Sequence, residues 1–172
     1  MLEDKVKPRA KVAVITRTKD RSEFLKRAIN SVLSQTFEDW LHVIVNDGGN
    51  SKTVDFLVQS EAKAYNGRAL VIHHPESAGM QNASNKGLLS SDSDYVVIHD
   101  DDDSWESEFL AQTVGILENE SEGTQVRAVV TQSNQIFEEV LLNGSIVEVN
   151  RQKYMPFDVV TLEAMLKGNL YP

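Results

Sequence analysis

Four short apolar, β-rich runs recur through the N-terminal part of the chain, and each ends in a polar cluster. They are Lys11–Thr16 (KVAVIT), Leu41–Val45 (LHVIV), Leu70–His73 and Tyr95–His99 (YVVIH). Runs this short, bounded by turn residues, read as buried strands. Segments with helical spacing lie between them. From Ser22, a predicted N-cap, to Gln35, the residues Phe24, Leu25, Ala28, Ile29, Val32 and Leu33 fall on one helical face. Ser51 is placed to cap a helix running to about Tyr65, and Met80–Leu89 and Glu106–Asn119 read as further helices. Such alternation predicts a mostly parallel central sheet with helices on both faces, a three-layer α/β/α sandwich.

The remaining chain departs from that rhythm. Val126–Gln132 reads as a fifth strand. Ile136–Leu142 and Ser145–Val149 flank Asn143-Gly144, a pair suited to the two positive φ angles of a type I′ turn, so an antiparallel hairpin is predicted. Its exposed edge, Phe137–Val149, is a candidate homodimer contact. Val159–Lys167 reads as a helix stopped by Gly168. Residues 1–10 read as a tail and 11–172 as one domain. Asn169–Pro172 looks like the start of another element, so that domain is expected to be truncated at its C-terminal end.

Composition narrows the chemistry. With 172 residues, 41% of them apolar and 25% charged, the chain can bury a real core. It has no cysteine, which excludes a disulfide scaffold, a zinc–thiolate site and a cysteine nucleophile. A net charge of −9 argues against nucleic acid as a partner. No apolar run is long enough to span a membrane, and the opening MLEDKVKPRAK lacks a signal peptide's apolar core. A cytoplasmic location is expected, with peripheral membrane association left open. The charge is also uneven. Between Lys86 and Arg127 there is no Lys or Arg, while acidic residues are frequent. A bound cation is one way to relieve the repulsion in that stretch.

In an open α/β sheet, ligands bind beyond the carboxyl ends of the strands, and the polar clusters sit there. Thr16–Arg21 follows the first run, Asn46-Asp47-Gly48-Gly49 the second, Pro75–Gly79 the third and Asp100-Asp101-Asp102-Asp103 the fourth. Several carboxylates in succession suit a hard divalent cation such as Mg²⁺, Mn²⁺ or Ca²⁺; an acidic turn capping the next helix is the alternative. An EF-hand is excluded: counted from Asp100, its glycine position holds Trp105 and its terminal glutamate position holds Ala111. Neither GxGxxG nor GxxxxGK[ST] is present, which removes support for dinucleotide and P-loop binding. Acidic strand ends can still hold a diphosphate through a bridging cation. Asp47 can bond a base edge or serve an Asx turn beside the two glycines. His73, His74 and His99 read as strand-end or core packing.

The stretch VAVITRTKDRSEFLKRAINSVLSQTFEDWLHVIVNDGG resembles the opening of family 2 glycosyltransferases, which have the GT-A (Rossmann-like) fold. SAGMQNASNKGL and YVVIHDDDDSW resemble two further family segments, the second carrying the DxD motif. Together they cover Val12 to Trp105 in the family's order. The resemblance implies sugar transfer from a nucleotide-sugar donor, often a UDP-sugar, to a sugar or to a glycan- or lipid-linked acceptor, with inversion. It implies that Thr16, Thr18 and Asp20 line the nucleotide and that Asp47 bonds the base. It further implies that Asp100 or Asp101 touches ribose, and that Asp102, with Asp100, ligates Mn²⁺ or Mg²⁺ on the diphosphate.

Some positions depart from the family pattern. Arg17-Thr18-Lys19-Asp20 replaces the usual Pro-Thr-Tyr-Asn, Asn46 replaces the first Asp of "DDG", and Ser84 replaces the Arg of "ARN". Arg17 and Arg21 are candidates to contact phosphate or to solvate the rim, and Lys86 to supply the donor contact of the missing Arg. The acceptor-side base has no clear match; Asp158 and Glu163 are candidates by position alone. Two other classes stay open. A sugar-phosphate nucleotidyltransferase would need a Gly-rich loop after the first strand, and Thr16–Arg21 contains no glycine. A non-enzymatic cation-binding module would bind metal without nucleotide dependence.

Overall fold

The structure, a computed structural model, describes residues 7–119 and 127–154. It divides into two compact units, Met1–Glu120 and Ser121–Pro172. The first holds β1 (Val12–Thr18), α1 (Ser22–Leu33), β2 (Trp40–Asp47), α2 (Ser51–Ser60), α3 (Ala62–Tyr65), β3 (Ala69–His74), α4 (Met80–Leu88), β4 (Tyr95–Asp100) and α5 (Phe109–Glu118). The four strands form one parallel sheet in the order β3-β2-β1-β4.

That order explains the layers. The chain steps from β1 to β2 to β3 in one direction, then returns across the sheet to place β4 beside β1. Right-handed crossovers put helices on one face during the outward steps and on the other during the return. One core cluster accordingly joins Val12, Val14, Ile44 and Trp40 of the sheet to Leu25, Ile29 and Val32 of α1, Val54 of α2, and Leu110 and Val114 of α5. The opposite cluster joins Ile15, Leu41, Val43 and Val45 to Ala83 of α4. Helix α4 comes very close to the sheet: a Cβ on Gly87 would lie 2.5 Å from Cγ2 of Ile15. The reversal between β1 and β4 is the switch point at which open α/β sheets bind ligands.

The strands run further than their apolar runs. β1 reaches Thr18, β2 reaches Asp47 and β4 reaches Asp100. Register pairing carries the polar residues along: Arg17 lies beside Asp100, Thr18 beside Asn46, and Asp47 beside His74. The hydrogen-bonded ladder continues where hydrophobicity stops. The helix caps shift as well. Arg21, not Ser22, precedes α1, and the Asn50 side chain, not Ser51, caps α2 by accepting from Thr53 N at 3.3 Å. Helix α1 ends at Leu33. Gln35 instead bridges to the start of α5, donating to Glu106 O at 2.9 Å and accepting from Leu110 N at 3.0 Å. The predicted tail is tied down from residue 8: Asp92 N donates to Pro8 O at 3.0 Å, and Arg9 pairs with Asp94 at 2.8 Å.

In the second unit, residues 127–132 are not a strand, contrary to the expectation for Val126–Gln132. The hairpin forms from β5 (Ser133–Val140) and β6 (Ile146–Tyr154), paired antiparallel. Its turn is not type I′, because only Gly144 of the Asn-Gly pair takes a positive φ, +82°. Gly144 N donates to Leu141 O at 2.9 Å and Leu141 N to Ser145 O at 2.8 Å. This is a three-residue loop with glycine in the left-handed position. The predicted helix Val159–Lys167 lies outside the described residues.

Candidate functional site

The carboxyl ends of the four strands carry loops that lock together around Asn46–Gly49. Asn46 accepts from Gly49 N at 3.0 Å and donates to Gly49 O at 2.8 Å. Gly49 packs so tightly that a Cβ there would lie 2.9 Å from Asp20 N, in the β1–α1 loop. Gly48, at φ +80°, would put a Cβ 2.4 Å from Ser77 N, in the β3–α4 loop. Both glycines are therefore required by the close approach of backbone, and the β2 end is the joint between its neighbouring loops.

Asp47 completes that joint. Its Oδ1 lies 2.8 Å from His74 Nδ1 and accepts from Ala78 N at 2.7 Å. Its Oδ2 accepts from Ser77 Oγ at 2.8 Å and Gly79 N at 2.9 Å. Burial alone would push this carboxyl upward. The bonds from Ala78, His74, Ser77 and Gly79 outweigh it and hold the group well below the usual carboxylate range. A carboxylate has about four acceptor positions, and all are taken. Asp47, which the family resemblance placed at the nucleotide base, is thus taken up in anchoring the β3–α4 loop and has no acceptor position left over for a base edge.

The acidic turn after β4 is neutralised from the other side of the switch point. Arg17 pairs with Asp100, its register neighbour. Arg21 pairs with both Asp101 and Asp102, and Arg27 donates to the Asp102 carbonyl. Further back, Lys11 lies 3.3 Å from Asp94 and also pairs with Glu118. The repulsion expected in a stretch without Lys or Arg is relieved by cations from the first 27 residues. Desolvation and the neighbouring Asp102 charge raise the Asp103 carboxyl above its ordinary value.

The predicted site residues separate into two groups. Thr18 and Asp20 line an open cleft of about 240 Å³, together with Arg21, Asn50 and Thr53. Asp20 sits at φ +54° and accepts from Asn50 N at 2.8 Å, joining the ends of β1 and β2. The Asp100 and Asp102 side chains are 44% and 46% exposed. Thr16 and Asp101, predicted at the nucleotide, are both fully buried. Thr16 alternates inward along β1 and its Oγ1 lies 2.8 Å from His42 Nε2, inside the core. Asp101 turns beneath the loop into the grip of Arg21. The candidates Asp158 and Glu163 lie outside the described residues.

A buried polar chain runs through the core, and of its members the sequence marked Thr16 and His99 but neither His42 nor Tyr65. Tyr65 Oη lies 2.8 Å from His42 Nδ1, and His99 Nδ1 lies 3.5 Å from Thr16 Oγ1. His99 lies tilted against Trp105, with ring centroids 4.1 Å apart, and Trp105 stacks on Phe109 at 4.3 Å. Burial, helped by His99, pushes His42 down to about 3. Burial, helped by Arg27, pushes His99 down to about 4. These rings are neutral structural posts at ordinary pH.

Among the described residues, no three acidic or histidine side chains converge as a ready metal cage. None is needed for a cation shared with a ligand. Mg²⁺ at phosphate sites is bound through one or two carboxylates plus substrate oxygens. The half-exposed carboxylates of Asp102 and Asp100 fit that role.

Known proteins match this sequence and this fold. The family model "Glycosyl transferase family 2" matches residues 13–161. TuaG of Bacillus subtilis, a glycosyltransferase assigned to teichuronic acid biosynthesis, is 32% identical over 99 residues, 58% of this chain and 38% of that protein. GlyA, a glycosyltransferase of Streptococcus pneumoniae, is 29% identical over 100 residues, 58% of this chain and 14% of that protein. The chain therefore spans well under half the length of these relatives.

Among solved structures, the mannosyltransferase PcManGT of Pyrobaculum calidifontis, in complex with GDP-Man and Mn²⁺, aligns with a TM-score of 0.57 at 24% identity. The alignment covers 67% of this chain and 35% of that one. S. aureus TarS 1–349, in complex with UDP-GlcNAc, aligns with a TM-score of 0.56 at 19% identity, over 78% and 41%. The likeness is to the GT-A fold. No helix among the described residues is long and apolar enough to cross a membrane. With the family model matching residues 13–161 of its 172, the chain belongs to glycosyl transferase family 2.

Proposed function

We propose that this chain binds a nucleotide-sugar donor at the carboxyl ends of β1, β2 and β4 and serves transfer of the sugar, with inversion, to a glycan or lipid-linked acceptor. The observation that carries this reading is Arg21, which lines the cleft beside Thr18 and Asp20 and pairs with Asp101 and Asp102, joining that cleft to the acidic turn after β4. The cleft receives the nucleoside. Asp102, with Asp100, holds Mn²⁺ or Mg²⁺ against the diphosphate. Asp47 keeps the β3–α4 loop in place beside them. When bound, the cation supplies charge neutralisation for the departing nucleoside diphosphate.

A UDP-sugar is the donor to test first. The aligned structures hold donors of two kinds, GDP-Man in one and UDP-GlcNAc in the other, so GDP belongs in the same panel. UDP titrated calorimetrically into the protein is expected to bind with Mn²⁺ and to lose binding on addition of EDTA. Asp102→Ala is expected to abolish that binding. It should alter folding stability by no more than about 1 kcal/mol, because its ion pair is solvent-exposed. Undiminished binding of UDP or GDP by Asp102→Ala would overturn the assignment of the cation to this turn.

A further inference from the structure

Arg21 touches two carboxylates of opposite standing. Its Nε donates to Asp101 Oδ2 at 3.2 Å, and its Nη2 donates to Oδ1 of the same group. This is a two-pronged grip on a fully buried acid. The remaining Nη1 donates to Asp102 Oδ2 at 2.9 Å, on a side chain that is 46% exposed. One edge of the guanidinium holds an interior partner and the other a solvent-facing one. The Phe24 ring, one turn into α1, lies 5.7 Å from the Arg21 guanidinium and 5.4 Å from that of Arg27. The ring braces both cations toward the acidic turn.

The two contacts differ in strength. An exposed ion pair is weak and screened, whereas removing the partner of a buried charge is costly. A competitor for Asp102 therefore detaches Arg21 from Asp102 and leaves it on Asp101. A divalent cation is such a competitor, with twice the charge and a preference for hard oxygen.

Building on the donor reading above, we propose that Arg21 is the built-in counter-ion of the acidic turn. It occupies Asp102 until a divalent cation takes that carboxylate. Its released Nη1 edge then donates to a diphosphate oxygen that arrives with the cation. The guanidinium pivots about Asp101 and does not leave the site.

The test compares the wild-type chain with Arg21→Gln in two calorimetric titrations: Mn²⁺ alone, then inorganic pyrophosphate at saturating Mn²⁺. Pyrophosphate makes the readout independent of the donor's base. In Arg21→Gln, Mn²⁺ alone should bind about two- to five-fold more tightly, because the competing positive charge is gone. Pyrophosphate should bind about ten-fold more weakly, because a charge-assisted hydrogen bond is lost. These opposite signs are the signature. Weakening of both, or an unchanged Mn²⁺ affinity, would reduce Arg21 to a structural residue and overturn the proposal. If Arg21→Gln fails to fold by circular dichroism, Arg21→Gln combined with Asp101→Asn removes the buried charge and carries the same two measurements. A wild-type chain that binds UDP with Mn²⁺ while its variant shows no split sinks this proposal alone. A wild-type chain that binds neither Mn²⁺ nor pyrophosphate sinks it together with the donor reading.

Discussion

The Asp47 carboxylate receives two backbone N–H bonds, from Ala78 and Gly79, that no side-chain rotation can replace. Asp47→Asn puts an amide N–H₂ against donors on one side. The expected cost is about 1–3 kcal/mol for the donors left unpaired, read as a lower urea midpoint, with the β3–α4 loop becoming protease-sensitive. A wild-type midpoint would show that the loop does not depend on this anchor. Asp47 was legible in the sequence as a strand-end residue of consequence, but its partners were not. They lie some 30 residues downstream and meet it only through the register of β2 with β3. The same holds for Arg17 and Asp100, 83 positions apart and adjacent in space. Charge counted along the chain showed an acidic block; charge counted across the β1–β4 ladder shows ion pairs.

Helix α4 illustrates what periodicity reads well and what it leaves out. Its existence and span, Met80–Leu88, followed from the sequence within a residue. The reason for its small residues did not. Ala83 and Gly87 stand four apart, on one helical face, and Gly87 meets the methyl of Ile15, a fully buried and β-branched neighbour with little freedom to move. Gly87→Ala should therefore destabilise by about 1–2 kcal/mol. Overpacking of about 1–3 kcal/mol exceeds the helix-propensity gain of at most about 1 kcal/mol. Thermal denaturation decides it, and a stabilised variant would mean α4 can lift off the sheet at no cost. Strand ends and caps were less legible. Apolar patterning reports hydrophobic side chains, whereas the ladder reports backbone hydrogen bonding, and the polar Thr18, Asp47 and Asp100 belong to the second without the first. The Asn-Gly hairpin was recognised, yet its turn type was set by a three-residue loop with Gly144 left-handed.

For the whole first unit, the buried histidines set the acid response. His42 and His99 are held at about 3 and about 4, below the ordinary 6.5, so the unfolded chain takes up protons first. Their contribution is complete above about pH 6.5 and declines as pH falls toward 4. Asp47, held low by its four bonds, adds its own loss only below the ordinary carboxylate value of 3.8. Between about pH 7 and pH 4.5 the loss should be on the order of 2 kcal/mol per ring, measured as urea midpoints. His99→Phe keeps a ring beside Trp105 and gives up the 3.5 Å contact to Thr16 and the interaction with the Asp103 backbone. It should flatten this slope by about half, and an unaltered slope would assign the acid response elsewhere.

The strand order also has a bearing on how such a site can change over evolutionary time. The cleft is framed by β1 and β2, interior strands each held by neighbours on both sides, while the carboxylate turn hangs from β4, at the end of the four-stranded sheet. The two halves of the pocket thus answer to different surroundings. Arg21 lines the cleft and grips Asp101 and Asp102 of the turn, so substitutions around β4 can reshape the turn only where they leave that grip intact, and the two parts are constrained to change together at this joint.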